Sequence, residues 1–361
     1  MSRQNPGGFP LFDLLARRWR LPAPALSAHF DAASQTLAAP LADGRIALIA
    51  TADGEPPEAR IAVDEAGRRT ITPRRGEPRA AILLAGEGGP PKLAAAGAGF
   101  VVSREGGGLA RLATDGTLTP LPAARDVVAL DATPSGRLAL AGPRGVELRE
   151  RDGKSRTLGE APAQAVAFSP DGANLAFGAG DALCVEISGQ VSRYVCAGPV
   201  ERIVWRSDGA LLVALCGAGG IALLDVEAGR FATLGGFPTP PRSAGFSEAA
   251  NVLVVAGAYR IAAWDLDRPP FDGERSGALE TGRPGFVPVV EVAALPGRKL
   301  AAAAYANGQI VVAALGLRDE MILKASGPEP VALIASPDGR SLALASGDEI
   351  ALIALPEALF K

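Results

Sequence analysis

The sequence predicts an all-β fold, a β-propeller of seven or eight four-stranded blades with eight favoured, preceded by a short N-terminal helix. Three observations predict it. One phrase is written twice, "FSPDGANLAFGAG" from Phe168 to Gly180 and "ASPDGRSLALASG" from Ala335 to Gly347. The order around it recurs along the chain: apolar run, four-residue turn, apolar run, Gly-Asp corner, apolar run. Finally, the small residue before each third run acts as a ruler. It falls at Gly44, Gly107, Gly145, Gly180, Gly220, Ala258, Gly308 and Gly347, with spacings of 38, 35, 40, 38 and 39 residues broken by 63 and 50. A period of about 40 is that of four-stranded propeller blades.

Each run holds five to seven residues rich in Val, Leu, Ile and Ala, and Gly, Asp or Pro bounds it. That is strand grammar, and no long 3.6-residue period competes with it after residue 24. Further copies begin at Val127, Arg202, Arg242, Val289 and Pro330. A looser copy begins near Ser27, and the loosest lies between Arg79 and Thr114. Polar-apolar segments such as "SGQVSRYV" and "AGRFATL" follow many third runs and read as fourth, outer strands. Four antiparallel strands repeated about an axis make a propeller. "SPDG" lies between first and second strands, where Pro fixes φ, Asp suits the next position and Gly accepts positive φ at the exit. Its variants are "TPSG", "RSDG" and "LPGR". Turn chemistry persists while side-chain chemistry drifts, so the phrase reads as a turn rather than a binding loop.

The chain resembles the WD-repeat β-propeller family over roughly residues 25–361, most of all its divergent bacterial members with Ala/Gly-rich blades. The carriers are the "FSPDGxxLA" unit, the Gly-Asp or Asn-Gly corner, and "AAWDLD" from Ala262 to Asp267. The resemblance implies a non-catalytic protein-protein interaction scaffold. The departures are plain. Only Trp264-Asp265 keeps the Trp-Asp pair, and the Gly-His pair is absent, because His29 is the only histidine. The family's buried Asp-His-Ser-Trp network therefore cannot form, and the blades are expected to be held by packing and backbone ladders alone. Eight three-strand units need eight outer strands. Seven can come from between the repeats, and the eighth from near Leu21 to Ala25 or from "PEALFK" at the end.

Composition bounds the function. With 361 residues, 48% hydrophobic and 21% charged, the chain can bury a large core without staples. A net charge of −3 argues against general nucleic-acid binding, which needs a basic surface. Arg17, Arg18 and Arg20 interrupt any signal-peptide core. The uncharged stretch from Leu300 to Leu317 is broken by Asn307, Gly308 and Gln309, so it reads as two strands and a corner rather than a membrane span. A cytoplasmic protein is expected. Arginine outnumbers lysine, and alanine and glycine are abundant, as in a GC-rich bacterial genome. Cys184, Cys196 and Cys216 match no zinc spacing and read as buried reduced thiols.

No cofactor or metal is expected. "DGKS" at Asp152 to Ser155 lacks the earlier glycine of a phosphate-binding loop, since Leu148 stands there. "CGAGG" at Cys216 to Gly220 precedes a strand where a dinucleotide fingerprint needs a helix. His29, without a Gly-x-Ser-x-Gly elbow elsewhere, reads as structural. Carboxylate pairs brought together by the ring stay open.

Three segments break the repeat. In the N-terminal extension, residues 1–24, Phe12, Leu15 and Trp19 fall at i, i+3 and i+7 of one helix face. That helix either caps the flank of the propeller, residues 25–361, or docks in a partner's groove. The second segment, Ala52 to Pro78, reads as a long hairpin whose Arg68, Arg69, Arg74 and Arg75 form either a solvated face or a patch for an acidic partner. The third, Asp267 to Val287, reads as two proline-bearing pieces around an outer strand. The expected binding surface is the face built by fourth-to-first and second-to-third strand loops. Its candidates are Asp43, Arg144, Asp181, Tyr259, Arg260, Arg283, Phe286 and Asn307, where tyrosine and arginine are frequent interface anchors. The partner is a protein that the sequence does not identify. The alternative is an enzyme or small-ligand binder using the central channel. The apolar first strands "VVAL", "AVAF", "RIVW" and "VALI" favour the scaffold.

Overall fold

A computed structural model describes residues 10–63, 69–86, 88–124 and 126–360. Eight four-stranded antiparallel sheets follow one another as the blades of a β-propeller. From axis to rim, blade 1 holds His29–Phe30, Thr36–Pro40, Ile46–Ala50 and Ile82–Leu84. Blade 2 holds Lys92–Ala95, Gly99–Ser103, Leu109–Ala113 and Leu118–Leu121. Blade 3 runs from Ala129–Ala132 through Leu138–Gly142 and Gly145–Arg149 to Ser155–Leu158. Blade 4 holds Ala165–Phe168, Leu175–Ala179, Ala182–Ile187 and Gln190–Val195. Blade 5 holds Arg202–Trp205, Leu211–Leu215, Ile221–Asp225 and Phe231–Leu234. Blade 6 holds Ala244–Ser247, Val252–Val255, Ile261–Asp265 and Ala278–Thr281. Blade 7 holds Val289–Ala294, Leu300–Tyr305, Ile310–Ala314 and Glu320–Lys324.

The second and third strands of a blade are covered on both faces by neighbouring blades. They therefore read as unbroken apolar runs, as in "LLVAL" and "IALLD", instead of alternating. Outer strands have one wet edge and are polar, as in Gln190–Val195, exposed along almost its whole length. All eight ruler residues stand at second-to-third strand corners. The "SPDG" turns satisfy themselves. Gly172 has φ +71° and Gly339 φ +68°. Ser169 Oγ accepts the Asn174 N–H at 2.9 Å, and Ser336 Oγ repeats this with Ser341 at 2.9 Å.

Blade 8 shows how the ring closes and corrects the N-terminal reading. Ala332–Ala335, Ser341–Ser346 and Glu349–Ala354 come from the C-terminal end, and the outer strand is Ala16–Arg20, antiparallel to Glu349–Ala354. The eighth outer strand is thus neither Leu21 to Ala25 nor "PEALFK". The helix is only Leu11–Leu15, and Trp19 sits on the strand, opposite Ile350. The physical reason is the open edge of Glu349–Ala354, whose unpaired N–H and C=O groups a strand satisfies and a helix cannot. The strand alternates, with Arg17 and Trp19 inward and Arg18 and Arg20 outward. An inward arginine hides that alternation from a hydrophobicity pattern. Blades 8 and 1 then share one core, in which Trp19 meets Phe30, Leu37 and Leu352.

The blades are also held by more than packing, contrary to expectation. Side chains clamp the backbone of the next blade. Asp131 accepts the Phe168 N–H at 2.8 Å, from blade 3 to blade 4. The Trp205 indole donates to Ala167 O at 3.1 Å, and Ser243 Oγ accepts the Val292 N–H at 2.7 Å. The Trp19 indole donates to Arg79 O at 2.7 Å. Arg156 pairs at 2.9 Å with Glu186, which is 2% exposed. Removing that guanidinium leaves a buried carboxylate with the Gly189 N–H as its remaining donor. Arg156→Ala is expected to lower stability by roughly 1–3 kcal/mol, read as a fall in the urea midpoint at unchanged slope.

The insertion between the third and fourth strands of blade 1 is a hairpin, Ile61–Val63 against Arg69–Ile71. Arg74 turns inward to Asp53 at 2.5 Å, so it belongs to the insertion's own fabric rather than to a solvated patch. Arg75 remains exposed, while Arg68 and the Arg69 side chain lie outside the described residues. The three cysteines are free and buried. "DGKS" is a strand-to-strand turn in blade 3, with the Lys154 N–H donating to Asp152 at 3.1 Å.

Candidate functional site

The eight inner strands ring the axis, and their first residues lie at the end of the ring where fourth-to-first loops and second-to-third corners emerge. The eight loop candidates all stand on that face. They do not converge on one point. Asp43 on blade 1 is held by its neighbour Arg45, whose Nε donates at 2.8 Å. Arg144 is exposed on blade 3, and Asp181 on blade 4 lies 3.9 Å from Arg193. Asn307, on blade 7, is exposed and caps its own corner by accepting the Gln309 N–H at 3.1 Å.

Four candidates do come together, between blades 6 and 7. Here the corner carrying Tyr259 and Arg260 is braced against the loop carrying Arg283 and Phe286. The Gly285 N–H donates to Tyr259 O at 3.0 Å, and the Val289 N–H to Ala258 O at 2.8 Å. The Arg283 N–H donates to Glu320 at 2.9 Å. On this fixed support Phe286 is fully exposed and Tyr259 is 45% exposed. Arg260 is half-buried and lies 3.5 Å from Glu280, so its charge is already matched. The other candidates, Phe12, Leu15 and Trp19, are buried. Phe12 and Leu15 pack into the core shared by blades 7 and 8, and Lys324 lies over the Phe12 ring at 4.9 Å.

Sequence reasoning missed the isolated charges on the inner strands. Asp131, Arg202 and Glu291 are the single charges of inner strands that otherwise read as apolar, and that isolation was the available signal. Arg202 on blade 5 acts on His29 of blade 1, opposite in the ring, and on Glu291 of blade 7. Its Nη1 donates to Arg242 O at 3.3 Å, and Arg242 pairs with Glu329 at 2.6 Å. A register shift between Val289 and Glu291 interrupts blade 7's inner strand, the device by which a sheet re-aims a side chain. Glu291 is 5% exposed. Burial pushes its carboxyl up to about 7 against the pull of Arg202. Burial likewise lifts Asp131 to about 6 and lowers His29 to about 4, with Arg202's charge adding to the latter. His29 is therefore neutral at pH 7, and Ser27 Oγ stands 2.9 Å from its Nε2.

No family model matches the chain, and no curated protein matches it. Among solved structures, a crystal structure of the computationally designed Ika8 protein superposes with a TM-score of 0.65 at 14% identity. The match covers 95% of this chain and 99% of that one. In all, 1588 solved chains match, a breadth that leaves function to be argued from the site. At that identity the likeness shows the fold alone.

Proposed function

We propose that this protein is a non-catalytic interaction scaffold of the WD-repeat type, cytoplasmic and bacterial, whose protein partner docks on the face between blades 6 and 7. One observation carries the reading. Phe286 is a fully exposed aromatic ring on a loop held by two backbone hydrogen bonds and one from the Arg283 N–H to the Glu320 carboxylate. An exposed aromatic on a rigid support is a preorganised anchor, since ordering it on binding has little entropic cost. Tyr259, Arg260 and Arg283 supply the polar surroundings. The test is paired. In a Tyr259→Ala/Phe286→Ala variant the stability should stay within about 0.5 kcal/mol of the wild type, read as a nearly unchanged melting temperature. Affinity for a partner isolated from the native host should fall about thirtyfold, the effect of losing hot-spot aromatics. Full binding by the double variant would place the interface elsewhere.

The channel mouth supports a second reading, a small-ligand binder or enzyme working at the axis. Arg202, Glu291 and His29 favour it, because they place polar groups on inner strands that are otherwise apolar, and the charge of Arg202 acts on the other two. Arg202→Ala separates the two: it should leave protein binding at Phe286 intact and abolish any ligand binding at the axis.

A further inference from the structure

A cavity of about 1350 Å³ lies on the opposite face, where blades 1 and 8 close the ring. First-to-second strand turns at Ser34, Arg298 and Asp338 build its walls, together with the blade 1 insertion and the chain after Ala354. Its apolar part includes Leu48, Ile82 and Leu355, with Pro56 and Pro57 of the insertion.

The charges on the wall are unequally matched. Arg17 and Asp53 face each other at 3.7 Å, and Arg74 completes that pair. Asp338 accepts the Ser336 hydroxyl at 2.6 Å and the Arg340 N–H at 3.0 Å. Asp115 accepts the Thr117 N–H at 2.8 Å. Glu58 and Glu357 are exposed to water. By contrast, Arg79, Arg298 and Arg340 form no ion pair within 4 Å among the described residues, although the charge of Glu357 acts on Arg298. Arg298 stands out. Its Nη2 donates to Leu355 O at 2.9 Å, while its buried Nη1 has no acceptor. A half-buried guanidinium beside apolar surface, short of one acceptor, is an incomplete arrangement, because buried polar groups are ordinarily satisfied. Arginine is also the side chain best shaped for a carboxylate or sulfonate.

We propose that this cavity binds an amphipathic organic anion, its acid group held by Arg298 and Arg340 and its apolar body laid against Leu48, Ile82 and Leu355. The site is independent of the Phe286 face. The probe is 8-anilinonaphthalene-1-sulfonate, an aromatic anion whose emission brightens and shifts to the blue in apolar surroundings. The folded protein should bind it saturably at one site, and decanoate should displace it where decyltrimethylammonium does not. Arg340→Gln alters an exposed side chain and should keep the wild-type melting temperature while weakening binding about tenfold, the effect of one charge-assisted hydrogen bond. Arg298→Gln should weaken it at least as much. Tyr259→Ala/Phe286→Ala should leave it unchanged. The proposal is overturned if the wild type does not bind the probe, if both arginine variants bind it undiminished, if the cation displaces it equally, or if the Phe286-face variant removes it.

Discussion

Deleting residues 1–22 is expected to abolish the folded ring. The deletion removes the outer strand of blade 8 and reopens the edge of Glu349–Ala354. It also removes Phe12, Leu14, Leu15 and Trp19, each 7% exposed or less. Burying such side chains stabilises by roughly 1.5–3 kcal/mol each, so the four together contribute about 6–12 kcal/mol before ordering costs. A domain's whole stability is only about 5–15 kcal/mol. Two clamps disappear as well. Arg17 donates to Ala52 O at 2.7 Å and also to Thr51 O, and Trp19 donates to Arg79 O. All three bonds tie blade 8 to the segment leaving blade 1, so they close the ring. A single change, Trp19→Ala, isolates part of the effect and should cost about 3–5 kcal/mol. Urea unfolding followed by circular dichroism reads both. A truncated chain with the wild-type midpoint would show that closure does not depend on this strand.

Much of this architecture was legible in the residues. Turn glycines and apolar runs depend on local chemistry, and a local rule can be read wherever it is repeated. The small corner residues, seven glycines and Ala258, placed all eight blades, and "SGQVSRYV" placed an outer strand correctly because its polar alternation marks a wet edge. Ala16–Arg20 was illegible for a different reason. Whether "ARRWR" is helix or strand is decided by Glu349–Ala354, more than 300 residues away, whose open edge supplies the pairing. The inter-blade clamps were hidden likewise, since the acceptor of Trp205 is a backbone oxygen rather than a recognisable partner residue. At the candidate face, Tyr259 and Phe286 were readable as bulky residues in corners that need none. The influence of Arg202 on His29 and Glu291 was not, because it arises only when blades 5, 1 and 7 face one axis. One charge in an apolar strand gives no sign of the others.

Replacing Glu291 by Gln is expected to change how stability depends on pH. The folded carboxyl titrates near 7, and its ordinary value is 4.5. Between those values the folded protein holds a proton that the unfolded chain has released. Stability from this group therefore declines as pH rises through that window, and the full penalty is present above 7. A shift of that size corresponds to about 3 kcal/mol. The position is 5% exposed, so solvent screens little of it. Gln keeps the shape and the hydrogen-bonding capacity toward Ser243 but carries no charge. The variant should resemble the wild type near pH 5 and exceed it by about 2–3 kcal/mol at pH 8, as protons leave only the wild type. His29 contributes the opposite slope, its pKa being lowered from 6.5 to about 4. That slope is common to both proteins and cancels in their difference. Urea midpoints measured from pH 5 to 8 give the answer. A constant difference across that range would mean that Glu291 ionises in the folded ring as it does in the open chain. Arg202 and Arg242, whose charges favour the ionised form, would then outweigh its burial, and the mouth of the channel would be an ionic network at every physiological pH.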